Sequence, residues 1–165
     1  MNTPVKNDSL FSARNLTFVF LALAIGISSY LSYLKFDTSA SPACSVGAVF
    51  DCGTVLNSVY SEIGGVPIAY LGLATNLIVL ALLILEPRVQ FFTNFTVPLV
   101  FGIMLFATLF SVYLIYVQAF LITKYCPWCL SHEFFVFMVF GFSTKRLLQW
   151  MDSQAVSDDV EMSAV

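Results

Sequence analysis

Residues 66–85 read VPIAYLGLATNLIVLALLIL and are followed by Glu86-Pro87-Arg88. The run has no charged side chain and about the 20 apolar residues a helix needs to cross a bilayer. Three further runs flank it. Residues 15–33 follow a tail carrying Lys6, Asp8 and Arg14, and residues 96–122 are long enough to tilt or project beyond the bilayer. A fourth begins near Pro127 and ends near Trp150, with Lys145 and Arg146 at its far end. The short link around Pro87 favours antiparallel neighbours.

Composition supports this reading. Hydrophobic residues make up 59% and charged residues 10%, at a mean hydropathy of +0.88, whereas soluble domains carry roughly 25% charged residues. The solvent of such a chain is mostly lipid. Four spans within 165 residues leave little room for a separate soluble domain, so the expected fold is an all-α membrane protein, a four-transmembrane-helix bundle. Residues 1–14 read as a cytoplasmic N-terminal tail, 15–150 as the membrane domain and 151–165 as a disordered acidic tail. A cleaved signal peptide is the alternative for the first run, but that run is long and lacks a small-residue cleavage site after it. The net charge of −3 and the lack of a basic run argue against a nucleic-acid partner.

Orientation follows from the basic residues. In a four-span arrangement Lys6, Arg14, Arg88, Lys145 and Arg146 share one side, and Lys35 and Lys124 the other, so both termini are expected in the cytoplasm. Residues 35–65 are polar and turn-rich and should leave the hydrocarbon. All four cysteines, Cys44, Cys52, Cys126 and Cys129, then collect on the non-cytoplasmic face, where disulfides form and persist.

Cys126-Pro127-Trp128-Cys129 stands where the fourth helix starts, and proline suits a first helical turn. The exposed N–H groups and the dipole of that helix end favour a thiolate, the form that attacks disulfides. Cys129 lies three residues further in, on the same face, which suits the transfer of electrons to a lipid-soluble acceptor. Cys44 and Cys52 close a loop of about nine residues, for which chain entropy gives about 2.5 kcal/mol. Such a pair can cycle, and two pairs allow thiol–disulfide exchange in sequence. Two static disulfides bracing the outer face remain an alternative, as does a four-cysteine zinc site.

Several stretches together resemble the vitamin K epoxide reductase family over residues 15–148. They are Ala43-Cys44-Ser45-Val46-Gly47 with Asp51-Cys52, then Asn57-Ser58, then Gly65-Val66-Pro67-Ile68-Ala69-Tyr70-Leu71-Gly72, and Tyr125-Cys126-Pro127-Trp128-Cys129-Leu130. The resemblance implies an outer loop with a short helix covering the bundle mouth. It also implies that Cys44 meets the partner's thiols, that Cys52 exchanges with Cys126, and that Cys126 and Cys129 form the redox pair beside a membrane quinone, ubiquinone or menaquinone. Ser58 matches a loop serine of the family. Bacterial members oxidise a thioredoxin-like periplasmic protein that introduces disulfides into exported proteins. Many carry that domain fused, but none follows the fourth run here, which points to a separate chain. Glu133 stands where animal enzymes place a tyrosine, and Ile68 where they place an asparagine.

His132 and Glu133 lie one turn beyond Cys129 and are candidate quinone-site residues that exchange protons, or else interfacial groups facing water. Asn76, inside the second run, suits helix packing or the quinone pocket. Tyr30, Tyr33, Tyr125, Trp128 and Trp150 read as an aromatic belt. The expected activity is thus that of a quinone-dependent thiol–disulfide oxidoreductase of the plasma (inner) membrane. The alternatives are a non-catalytic scaffold or transport component with structural disulfides, and a quinone or epoxide reductase serving a cofactor cycle.

Overall fold

A computed structural model describes residues 7–37, 49–86 and 90–163, with side chains over 14–37, 49–86 and 95–156. Helix α1 spans Asn7–Phe36, and a short α2, Cys52–Leu56, opens the next described segment. A hairpin of β1 (Glu62–Ile63) and β2 (Val66–Pro67) leads into α3, Ile68–Leu85. Helix α4, Gln90–Tyr116, widens into a π-helical end at Val117–Ile122, and α5 runs over Pro127–Ser163.

The hairpin shows how sequence sets these boundaries. Glu62 pairs with Pro67 and Ile63 with Val66, which leaves Gly64 and Gly65 as a two-residue loop with φ of +59° and +82°. Both angles lie in the left-handed region, where a glycine pair is the favoured solution for a tight hairpin. The chain reverses there and enters α3 directly after Pro67.

Helix α5 packs closely on α1 and α4, and α1 on α3, whereas α3 and α4 touch each other only sparsely. One buried cluster, Leu21, Val79, Leu83, Val100, Met104, Val136 and Val139, draws on α1, α3, α4 and α5. Phe20 of α1 stacks on Phe142 of α5 at 5.7 Å. Large apolar side chains such as Leu109, 63% exposed, lie on the surface, as they do where lipid is the solvent. The buried serines of α1 are satisfied locally: Ser28 and Ser32 return their hydroxyls to the carbonyls of Ala24 and Ser28 at 2.8 and 2.7 Å.

Three described helices, over Arg14–Phe36, Ile68–Leu85 and Phe95–Ile122, are long and apolar enough to cross a membrane. These match the first three expected spans. Helix α5 falls outside that set because His132, Glu133, Lys145 and Arg146 dilute its apolar stretch. Arg146 on α5 donates to both carboxylate oxygens of Glu86, at 2.6 and 2.8 Å, which puts the C-terminal end of α3 beside the part of α5 remote from Cys126.

The helix ends differ from the expected tails. Helix α1 already begins at Asn7, and α5 continues to Ser163 with residues 151–156 exposed. No proline or glycine lies between residues 142 and 163, or between 7 and 25, so a helix anchored by packing propagates one bond per residue past the packed region.

Candidate functional site

The site is built around the start of α5. Cys126 immediately precedes Pro127, so its sulfur stands where an N-cap oxygen ordinarily does. The Cys129 N–H donates to Cys126 Sγ at 3.2 Å. A backbone N–H and a helix N-terminus aimed at one sulfur stabilise its thiolate when the pair is reduced. Here Cys126 and Cys129 are joined as a disulfide, with their Cα atoms 5.2 Å apart.

The backbone of Cys126 is anchored as well. Its N–H donates to Gln118 Oε1 at 3.0 Å, and both residues are buried. Gln118 reaches it because the end of α4 widens to π geometry and turns Val117 and Gln118 inward, before Thr123 ends the segment at φ 55°. Reading the sequence did not single out Gln118. A lone amide inside an apolar run was the available signal, but a helix drawn at 3.6 residues per turn does not aim it at residue 126.

Hydrogen bonds in a short parallel bridge bring the loop segment to the same place. The Tyr125 N–H donates to the Val49 carbonyl and the Asp51 N–H to the Tyr125 carbonyl, both at 3.1 Å. Asp51 then caps α2, accepting from the Thr54 N–H at 3.0 Å and from the Thr54 hydroxyl at 2.7 Å. At the other end of α2, Lys35 Nζ donates to the Leu56 carbonyl at 2.9 Å and pairs with Glu62 at 3.0 Å. Cys52, the first residue of α2, and Cys126 are therefore both fully buried, in one apolar cluster with Leu31 and Val55, and Cys129 packs at its edge. The structure brings three of the four expected cysteines together. Cys44 lies outside the described residues.

Asp51 titrates below the ordinary carboxylate range. The largest cause is the Thr54 backbone N–H, followed by its hydroxyl, opposed by slight desolvation, with Lys124 and the Gly53 N–H adding to the lowering. A depressed carboxylate contributes its stability above its unfolded value and loses it as pH falls through the folded one. Protection of the Thr54 amide from hydrogen exchange, corrected for intrinsic rate, should be level at neutral pH and decline only in acid. Asp51→Ala should lower that protection at every pH, and Asp51→Asn should keep part of it without the acid decline.

Below Cys129 a cavity of about 700 Å³ opens where α3 and α4 diverge, walled mainly by apolar side chains. That volume is typical of a small-molecule pocket. Cys129, His132 and Glu133 lie on its α5 wall and Ser58 near α2. Ser58 Oγ donates to the Val55 carbonyl at 2.9 Å. His132 and Glu133 face the bundle interior: Glu133 is 5% exposed. His132 Nε2 lies 3.1 Å from Asn76 Nδ2, so Asn76 joins helix packing to the cavity wall. Trp128 is partly exposed and rests on Tyr30 at 5.1 Å.

The sequence profile described as the Vitamin K epoxide reductase family matches residues 15–144, from α1 into the packed part of α5. The chain belongs to that family, whose members are oxidoreductases. It is a membrane protein with several apolar helices and a disulfide-forming cysteine pair at the start of α5.

Proposed function

We propose that the protein is a quinone-dependent thiol–disulfide oxidoreductase. It oxidises a thioredoxin-like partner and passes the electron pair through Cys44/Cys52 and then Cys126/Cys129 to a membrane quinone, ubiquinone or menaquinone, in support of disulfide formation in exported proteins. The observation that carries this reading is the single buried cluster holding Cys52, Cys126 and the edge of Cys129, with Cys129 also on the cavity wall. In this reading α5 is the fourth span of a plasma-membrane bundle. Both termini are cytoplasmic, and the cysteines and α2 lie on the outer face, as the distribution of basic residues favours.

The steps follow from thiolate chemistry. The partner's thiolate attacks the Cys44–Cys52 disulfide, and its second thiol resolves the mixed disulfide, leaving both loop cysteines reduced. Cys52 then attacks Cys126 Sγ, the Cys126–Cys129 bond breaks and Cys129 leaves as a thiolate at the cavity. Cys44 attacks Cys52, and Cys126 departs as a thiolate that accepts a hydrogen bond from the Cys129 N–H. The bound quinone supplies a two-electron, two-proton acceptor. The cavity fits such a group, being mainly apolar with a few polar side chains on its wall. Ser58, His132 and Glu133 are the side chains that would meet the quinone head.

A variant with only two thiols tests the relay. In Cys44→Ala/Cys129→Ala, Cys52 and Cys126 should join on mild oxidation, detected by peptide mapping without reduction. If both stay available to alkylation under conditions that oxidise the wild type, the two pairs do not exchange and the cysteines are braces.

A further inference from the structure

Four side chains from three helices form a chain of polar contacts that ends at the cavity. On α1 the Ser28 hydroxyl donates to the Ala24 carbonyl at 2.8 Å, leaving its oxygen free to accept. The Asn76 amide nitrogen on α3 lies 3.5 Å from Ser28 Oγ and 3.1 Å from His132 Nε2. An amide nitrogen only donates, so Nε2 accepts and the proton of a neutral imidazole sits on Nδ1. Nδ1 faces Glu133 Oε1 at 3.8 Å. Oε2, the second carboxyl oxygen, is buried with no hydrogen-bond partner among the described residues. Such an atom is costly unless it carries a proton or meets a ligand.

Glu133, His132, Asn76 and Ser28 line the same cavity as Cys129, and Cys129, His132 and Glu133 share one helical face at i, i+3 and i+4. We infer that Ser28, Asn76 and His132 are positioning residues that hold the imidazole in its Nδ1–H form and aim Glu133, which carries a proton to an oxygen of the bound acceptor. The inference rests on the quinone reading given above. As the Cys126–Cys129 bond forms, the dithiol gives up two electrons and two protons. The electrons pass to the quinone, and Glu133 Oε2 donates its proton to one quinone oxygen. One thiol proton restores Glu133, and the other ends on the second quinone oxygen. Besides Glu133 and His132, the ionisable groups on the cavity wall are Cys129, Tyr60 and Lys35, the last held by Glu62; α3 and α4 bring none to the described lining.

His132 is the chain's single histidine, so the nitrogen resonances of ¹⁵N-histidine-labelled protein report this ring alone. At neutral pH the wild type should show a protonated Nδ1 and a bare Nε2. Asn76→Ala and Asn76→Asp should both restore the Nε2–H form, the first by removing the donor and the second by supplying an acceptor. With dithiothreitol as reductant and a ubiquinone of one isoprene unit as acceptor, Glu133→Gln should lower kcat by about 10²-fold, leave KM near that of the wild type and flatten the pH profile. Asn76→Ala should shift that profile. Wild-type turnover alongside an Nε2–H or cationic histidine, or an unaltered rate and profile in Glu133→Gln, overturns this inference alone. A wild type unable to reduce the quinone overturns the quinone reading and this inference with it.

Discussion

Cys126→Ala and Cys129→Ala should each lower quinone reduction by at least about 10³-fold, whichever reductant is used, because residues that act as one unit fail together. Removing both should cost little more than removing either. The loss should be chemical, since the bond that anchors residue 126 to Gln118 uses the backbone N–H and survives the substitution. The α5 N-terminus does lose the sulfur that accepts the Cys129 N–H. Cys126→Ser, which restores an N-cap oxygen, should recover thermal stability and leave turnover at the background. Quinone absorbance in detergent follows the rate, and a thermal melt follows the fold.

Cys52→Ala should separate the two kinds of electron donor. With a reduced thioredoxin-like protein, turnover should fall by about 10²-fold or more, as when a positioned intramolecular thiol gives way to bimolecular encounter. Cys126 is fully buried beneath α2, so a protein-sized thiol cannot take the place of Cys52. Dithiothreitol is small enough to reach Cys129 from the cavity, and its turnover should persist. Equal losses with both donors would mean that Cys52 supports the site without carrying electrons.

Much of this was legible because it depends on local sequence. The apolar runs at 15–33, 66–85 and 96–122 became three described helices long and apolar enough to cross a membrane, since in lipid a chain must satisfy its backbone within a helix. Pro127 between two cysteines marked a helix start, and α5 begins there. What escaped depends on contacts between distant residues. The π-helical turn that aims Gln118 at Cys126 and the bridge between Phe50 and Tyr125 leave no periodic trace. Asn76 and His132 are 56 residues apart, and only the packing of α3, α1 and α5 makes them neighbours. The C-terminal tail illustrates the opposite case. Its acidic, weakly hydrophobic sequence suggested disorder over 151–165, yet nothing in 151–163 breaks a helix, and α5 runs through it.

The most direct test of the central claim is an anaerobic single turnover. Fully reduced Cys44→Ala/Cys52→Ala protein, which holds only the Cys126/Cys129 electron pair, is mixed with ubiquinone of one isoprene unit, and hydroquinone is counted against the Cys126–Cys129 disulfide recovered in peptide maps. If the claim holds, hydroquinone and disulfide appear mole for mole, and protein alkylated at both cysteines beforehand yields neither. Disulfide formed without hydroquinone, or cysteines that stay reduced in the presence of both ubiquinone and menaquinone, would contradict it.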